Sequence, residues 1–252
     1  MSDNTTRFSD RVEDYVKYRP HYPGSILSYL QQTYSFNASW DVADIGSGTA
    51  ISSELFLGNG NRVFAVEPNA EMRGKAEELL GGNPHFFSID GTAEATGLAA
   101  GSVRLIVAGQ AFHWFDAVKS RAEFVRILQP HGVVVLVWNE RLAQSPFEAA
   151  YNALIERYGK DYKAINHRNI SDELIDSFYQ PASNVLMDFP NEQRFDFEGL
   201  TGRLLSSSYM PKTGPVFGPM IEELRRLFDR YQDGGRVRIG YDTKVYSGML
   251  KP

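Results

Sequence analysis

Val133-Val-Val-Leu-Val-Trp138 is a run of six apolar residues without polar alternation. A strand with one wet face alternates apolar and polar side chains. A run this short and uniform reads instead as a strand covered on both faces. Four β-rich stretches precede it, at 40–45, 62–66, 85–89 and 103–108. Helical stretches at 50–57, 70–80 and 118–128 separate them, with Gly81-Gly82 and Pro130 as stop signals. Strand–helix alternation of this kind implies a parallel sheet wrapped by helices, an α/β fold.

After Trp138 the rhythm changes. Helices are expected at 145–158, 172–179 and 217–231, and short extended pieces at 185–189 and 193–197. Segments 236–240 and 244–248 flank Tyr241-Asp242-Thr243 and read as a hairpin. No Pro/Gly/Ser linker divides the chain, so one domain is expected. It has a helical leader (1–36), a ligand-binding core (37–140), a helical insertion that caps the site and completes the sheet (141–231), and C-terminal strands (232–252).

Composition excludes several classes. The 252 residues contain 26 Lys+Arg and 31 Asp+Glu, a net charge of −5 that lacks the electrostatic footprint of nucleic-acid binding. Arg225, Arg226, Arg230, Arg236 and Arg238 are interleaved with Glu222, Glu223, Asp229 and Asp233, the pattern of a solvated helix face. No apolar stretch reaches the roughly 18 residues of a membrane span, and the N-terminus lacks the apolar segment of a secretory signal. There is no cysteine, which removes disulfides and thiolate chemistry and fits a cytoplasmic location. The histidines are scattered, and no His/Asp/Glu spacing suggests a metal.

The strongest chemical signal is Asp44-Ile-Gly46-Ser-Gly48-Thr-Ala50, a small-residue turn between the first strand and the first helix of the core. Glycines there let the backbone turn tightly and approach a ligand. In a wound sheet, ligands bind at the carboxyl ends of strands near the topological switch. A dinucleotide fingerprint needs Gly or Ala where Ile51 stands, and no Gly-Lys-Ser/Thr phosphate loop is present. Asp44 would repel a pyrophosphate but suits an ammonium. Glu67 follows the second strand and is placed to accept hydrogen bonds from ribose hydroxyls. Small residues follow the third strand at Thr92 and Ala93 and the fourth at Gln110 and Ala111. A ligand with an amino group, a ribose and a cationic centre fits, and S-adenosylmethionine has all three.

With Val66-Glu67-Pro68-Asn69, Gly91-Thr-Ala-Glu94 and Gln110-Ala-Phe-His-Trp-Phe-Asp116, the chain resembles the class I S-adenosylmethionine-dependent methyltransferases over about residues 7 to 140. The leader Phe8-Ser-Asp-Arg-Val-Glu-Asp-Tyr15-Val-Lys-Tyr18-Arg19-Pro20-His-Tyr22-Pro23 is similar to that of a small-molecule subgroup, which includes the trans-aconitate methyltransferase-like proteins. The resemblance implies a doubly wound, mostly parallel seven-stranded sheet in the order 3-2-1-4-5-7-6. It implies that Asp44, Gly46 and Gly48 hold the methionine portion and Glu67 the ribose. Pro68 and Asn69 would flank the adenine, Thr92 and Ala93 would contact its other side, and Gln110 and Ala111 would approach the sulfonium. Tyr18 and Arg19 would close over the cofactor, Arg19 pairing with its carboxylate. The family often has a third glycine at the place of Ala50.

His113 stands where methyl acceptors sit in this fold, as a general base or as a packed histidine that shapes the pocket. Tyr15, Tyr18 and Tyr22 form either a buried aromatic face or a lid. Arg203, Arg141 and Tyr209 are candidate acceptor contacts. The expected activity is methyl transfer to a carboxylate or hydroxyl of a small molecule, leaving S-adenosylhomocysteine. A non-catalytic S-adenosylmethionine-binding protein and a methyltransferase acting on a macromolecule stay open, and an NAD-dependent oxidoreductase is more distant.

Overall fold

The computed structural model of the chain describes residues 12–160 and 171–251, so Phe8, Ser9, Asp10, Arg11 and His167 lie outside the described residues. In chain order the elements are α1 (Val12–Tyr18), α2 (Ser25–Tyr34), β1 (Val42–Ile45), α3 (Ile51–Gly58), β2 (Val63–Val66), α4 (Ala70–Leu80), β3 (Phe86–Ile89) and β4 (Val103–Gly109). They continue with α5 (Ala117–Ile127), β5 (Leu128–Arg141), α6 (Pro146–Tyr158), α7 (Asp172–Tyr179), β6 (Asn184–Phe195), α8 (Phe197–Leu205), α9 (Phe217–Tyr231) and β7 (Val237–Met249). Helix starts follow the local chemistry. Asn69 accepts from two backbone N–H groups of α4, and Ser145 forms a capping box with Glu148, followed by Pro146 at the first position of α6.

The seven strands form one sheet in the order β3-β2-β1-β4-β5-β7-β6, the order the resemblance implies. The pairs β2–β3, β1–β2, β1–β4 and β4–β5 are parallel. The chain runs outward from β1 to β3 and returns to β4 on the other side of β1, so the topological switch lies at β1. Ile45 pairs with Val66 and Val66 with Ile89, which brings Gly46, Glu67 and Asp90 to one level at the carboxyl edge.

The uniform apolar run splits by alternation. Val134, Leu136 and Trp138 join one buried layer with Ile45, Ile106 and Phe124. Val133, Val135 and Val137 join the other with Val42, Val63, Leu105 and Phe56. That is the two-sided burial expected of a strand inside a wound sheet.

Two local expectations need correction. Segments 185–189 and 193–195 are parts of the single strand β6, which runs through Pro190, while Asp196 caps α8 and Phe197 begins it. β6 ends the strand order, and an edge strand tolerates a residue without an N–H. Segments 236–240 and 244–248 are likewise one strand, β7, and not a hairpin. The turn lies upstream at Gly234-Gly235, both with positive φ, closed by pairing of Asp233 with Arg236. Tyr241-Asp242-Thr243 offers Asp242 but no glycine, and it stays extended within β7.

The chain divides into two units whose boundaries fall within β5, β6 and β7. The core unit comprises His21–Asn139, His167–Phe189 and Thr243–Pro252, and holds both layers just described. The second unit comprises Met1–Pro20, Glu140–Asn166 and Pro190–Asp242. It has its own apolar cluster, with Tyr18, Tyr151, Leu154, Leu200, Leu204, Met220, Leu224 and Tyr241. No described helix is long and apolar enough to cross a membrane.

Gly202 on α8 exists for packing in the second unit. A Cβ added there would fall inside the Tyr18 ring. Alanine is intrinsically the better helix former by about 1 kcal/mol, but overpacking of this kind costs roughly 1–3 kcal/mol or more. Gly202→Ala is therefore expected to lower the urea midpoint of the protein in equilibrium unfolding. An unchanged or raised midpoint would show that α1 does not pack on α8 as described.

Candidate active site

β1 delivers Asp44 to the interior, where it is fully buried. Two consecutive hydroxyls in the first turn of α3 face it. Ser52 Oγ and Ser53 Oγ each donate to Asp44 Oδ2 at 2.7 Å. Asp44 Oδ1, equally buried, has no hydrogen-bond partner among the described residues. Burial pushes the carboxyl up to about 6, the nearby Glu67 carboxylate adds to the rise, and the two serines oppose it.

The turn that follows is left-handed at three positions: Gly46 (φ 66°), Gly48 (φ 57°) and Ala50 (φ 68°). Its N–H groups are held by β2 and by the residue after it. Gly46 N–H and Ser47 N–H donate to Val66 O, and Gly48 N–H donates to Glu67 Oε2 at 2.9 Å. The other carboxylate oxygen of Glu67 accepts from Asn69 N–H at 2.8 Å. Burial pushes the Glu67 carboxyl upward, while the Asn69 and Gly48 N–H groups and the Arg73 charge pull against it. Gly46 is required for close approach as well as for its φ. A Cβ there would lie 2.8 Å from that of Ala111 and 3.3 Å from the Phe115 ring.

β4 ends beside this turn. A Cβ on Gly109 would meet the Tyr22 hydroxyl at 2.6 Å and Ser52 Oγ at 3.2 Å, so Tyr22 and Ser52 lie against the strand end. Gln110 is also left-handed (φ 56°), with its N–H on Val137 O and its amide on Asn139 O. Asn139, buried at the end of β5 in the core unit, accepts from Thr243 Oγ1 at 2.5 Å. Ala111 leads into the short 3-10 turn Phe112–Trp114. Within that turn His113 Nδ1 is buried and has no hydrogen-bond partner among the described residues, and burial lowers the imidazole to about 4. It is neutral at physiological pH. Phe112 packs among Phe115, Trp138 and Phe178, whereas Trp114 is exposed.

The structure thus gathers Asp44, Gly46, Gly48, Glu67, Gln110 and Ala111 around the carboxyl ends of β1, β2 and β4. Pro68 is exposed beside Glu67, and Asn69 is buried as the cap of α4. At the end of β3, Thr92 is exposed and pairs its backbone with Ala95, while Ala93 is buried in the core layer. Tyr18 and Arg19 belong to the second unit. There Tyr18 packs on Gly202, and Arg19 Nη2 donates to Ser206 O at 3.2 Å. Sequence reasoning passed over Ser52, Ser53 and Asn139, and it read Tyr22 only as part of an aromatic face or a lid. Only the serines carried a signal, as paired hydroxyls at a helix start following a buried acid.

Comparison with known proteins agrees with this geometry. Residues 43–136 match a family described as methyltransferase domain. An uncharacterized methyltransferase of Schizosaccharomyces pombe is 28% identical over 151 residues, which is 60% of this chain and 59% of that protein. A second S. pombe protein, an uncharacterized methyltransferase-like one, is 25% identical over 97% of this chain and 96% of its own. A Mycobacterium tuberculosis relative of the same description is 33% identical over 55% of this chain and 54% of its own. The matched segment therefore spans little more than half the length of the first and third of these relatives. Among solved structures, one from Anaeromyxobacter dehalogenans, named as a candidate type II methyltransferase, superposes with TM-score 0.67 at 21% identity and covers 93% of this chain and 99% of that one. A geranyl diphosphate methyltransferase in complex with SAM superposes with TM-score 0.50 at 15% identity, over 88% of this chain and 84% of that one. Residues 43–136 are thus similar to a methyltransferase domain, and the chain shares the fold of these solved structures.

Asp44 gives a pH signature with a definite sign. A carboxyl whose pKa in the fold (about 6) exceeds its unfolded value (3.8) binds its proton more tightly when folded. Its contribution then falls as pH rises through that window, by up to about 3 kcal/mol, and is constant above it. The stability difference between wild type and Asp44→Asn is expected to shift in favour of the variant between pH 4 and pH 6. Paired urea titrations across that range measure it, and a difference independent of pH would contradict the buried, half-satisfied carboxyl.

Proposed function

We propose that this protein is an S-adenosylmethionine-dependent methyltransferase of the small-molecule branch whose leader it resembles, acting on a carboxylate or hydroxyl acceptor. The observation that carries the proposal is the pairing of a buried, half-satisfied Asp44 with a glycine turn clamped by Glu67, at the switch point of the sheet. Such a site suits a ligand with both a cationic group and a sugar diol. Asp44 Oδ1 offers an unused acceptor to an ammonium. Each Glu67 oxygen spends one lone pair on a backbone N–H and retains another for a ribose hydroxyl. The turn supplies backbone where a side chain would obstruct.

When bound, S-adenosylmethionine supplies an activated methyl on a sulfonium, open to in-line displacement. The protein's part is alignment and exclusion of water. Well-oriented reactants gain roughly 7–11 kcal/mol without acid–base help. His113 contributes as a neutral imidazole that orients the acceptor by a hydrogen bond. With a pKa near 4 it is a weak base, suited to a carboxylate acceptor or to holding a hydroxyl in place. Tyr18 and Arg19 are carried as cofactor contacts by the resemblance alone.

Calorimetric titration with S-adenosylhomocysteine tests the reading. Micromolar binding is expected for the wild type. Glu67→Ala, which removes the sugar acceptor and the tie to Gly48, is expected to weaken it by about a hundredfold, or roughly 2.7 kcal/mol. Asp44→Asn is expected to weaken it about tenfold. Neutral outcomes for both would place the ligand elsewhere. The His113 role has its own readout. Between about pH 5 and 8, where an ordinary histidine titrates, the activity profile is expected to show no inflection removed by His113→Ala; a step in that range lost on substitution would make His113 a general base.

A further inference from the structure

The second unit contains a buried cation with which no acid pairs among the described residues. Arg203, on α8, is almost entirely buried. Its Nε donates to Tyr241 Oη at 3.2 Å, and its Nη1 reaches Ser207 Oγ at 3.4 Å and Ser206 Oγ at 3.5 Å. The last two are long enough to be weak. Nη2 makes no hydrogen bond among the described residues, and no carboxylate forms an ion pair with Arg203 there. Beside the Tyr241 phenol that it contacts, the phenols of Tyr151 and Tyr209 are near enough to act on it electrostatically. At neutral pH a phenol is uncharged, so these groups solvate the guanidinium without cancelling its charge.

Two more arginines of the same unit converge here. Arg19 Nη2 donates to the backbone oxygen of Ser206, the residue whose hydroxyl faces Arg203. Arg141 lies over the Tyr151 ring, 5.4 Å from its centroid, and donates to Asn152 Oδ1 at 2.8 Å. Burial alone would push the Tyr209 phenol up, yet the guanidiniums of Arg141, Arg19 and Arg203 outweigh it and hold the phenol below its ordinary value. Three positive charges thus act on one half-buried phenol. The geometry is fixed from behind. Tyr241 Oη donates onward to Gln193 Oε1 at 2.9 Å, Gln193 Nε2 donates to Tyr18 O, and Ser206 Oγ donates to Arg203 O. A buried charge lacking a counter-charge costs several kcal/mol.

We infer that Arg203, with Arg19, Arg141 and Tyr209, forms a binding site in the second unit for the anionic oxygen group of a small molecule. A carboxylate matches the planar fork of a guanidinium in two parallel hydrogen bonds, and a phosphate shares that chemistry. Assigning the occupant as the methyl acceptor rests on the proposed function; the binding itself does not.

The test is calorimetric titration of the full chain with succinate, tricarballylate, inorganic phosphate and uncharged succinamide. S-Adenosylhomocysteine binding is measured on the same preparations. A di- or tricarboxylate is expected to bind the wild type. Binding is expected to fall by about tenfold or more, roughly 1.4 kcal/mol, in both Arg203→Met and Arg141→Met. Succinamide is expected to give no heat, and S-adenosylhomocysteine binding is expected to be unchanged. Tighter binding of phosphate than of either carboxylate would assign the site to a phosphoryl group and leave the inference standing. No binding of any anion at about 10 mM, or equal binding in wild type and variants, overturns it. Should Arg203→Met fail to fold, Arg141→Met carries the comparison. Anion binding without S-adenosylhomocysteine binding would overturn the proposed function and leave this site intact; the reverse would remove this site alone.

Discussion

The carboxylate of Glu67 ties together the two loops on which the core site depends. One oxygen takes the Gly48 N–H from the loop after β1, and the other takes the Asn69 N–H at the start of α4. Val66, immediately before it, accepts from Gly46 and Ser47. Three successive N–H groups of the glycine turn are therefore bound by the end of the neighbouring strand. The turn owes its shape as much to that strand as to its glycines. Parallel register makes this possible, since Ile45 and Val66 end level with one another. An acid one residue earlier in β2 would point to the other face of the sheet.

Strain and buried charge gather at the same place. Of the non-glycine residues with positive φ among those described, Ala50 and Gln110 stand just past the adjacent strands β1 and β4. A left-handed non-glycine residue costs of order 1–3 kcal/mol and persists only where its surroundings over-determine it. Ala50 is held by its N–H on Ser47 O and by a methyl buried against Phe56 and the second core layer, so the turn survives without a third glycine. Gln110 is held by backbone and side-chain bonds to β5. Asp44, fully buried and only half satisfied, adds a cost of its own. Concentrated strain of this kind marks a site built to receive something.

Much of this was legible in the residues themselves, for physical reasons that differ by region. From β1 to β5 the elements are short, uniformly apolar and bounded by Gly, Asn or Pro, so periodicity and stop signals place α4 at Ala70–Leu80 and the fifth strand around Val133 to Trp138. Beyond Trp138 the strands are long and carry mixed faces. β6 runs through Pro190 and β7 through Tyr241-Asp242-Thr243, because edge position and tertiary pairing override local turn propensity. In the site, the spacing of Asp44, the glycines and Glu67 encoded their meeting. Ser52 and Ser53 carried a faint signal as paired hydroxyls after an acid, but a serine in a first helical turn is ordinary until the acid it faces is known. Arg141 lies far in the sequence from Arg203 and Tyr209, and only the fold reveals that Arg19 joins them.

Each unit holds a buried charge whose hydrogen bonding is incomplete among the described residues. In the core unit Asp44 has two serine donors on one oxygen and, among the described residues, none on the other. In the second unit Arg203 has a phenol and two distant hydroxyls, and no carboxylate pairs with it among the described residues. A chain selected only for stability would replace either by an apolar residue of similar volume, a change that is often neutral or stabilising by roughly 1–4 kcal/mol. Neither charge is an accident of loose packing. Asp44 is oriented by two serines of α3, and Arg203 by a tyrosine whose own hydroxyl is spoken for by Gln193. Orientation in advance has little value for stability and much for binding, because it lowers the ordering cost when a ligand arrives. A cationic ligand meeting the first and an anionic ligand meeting the second would each complete a half-built pair, and charge neutralisation would contribute to the affinity of each.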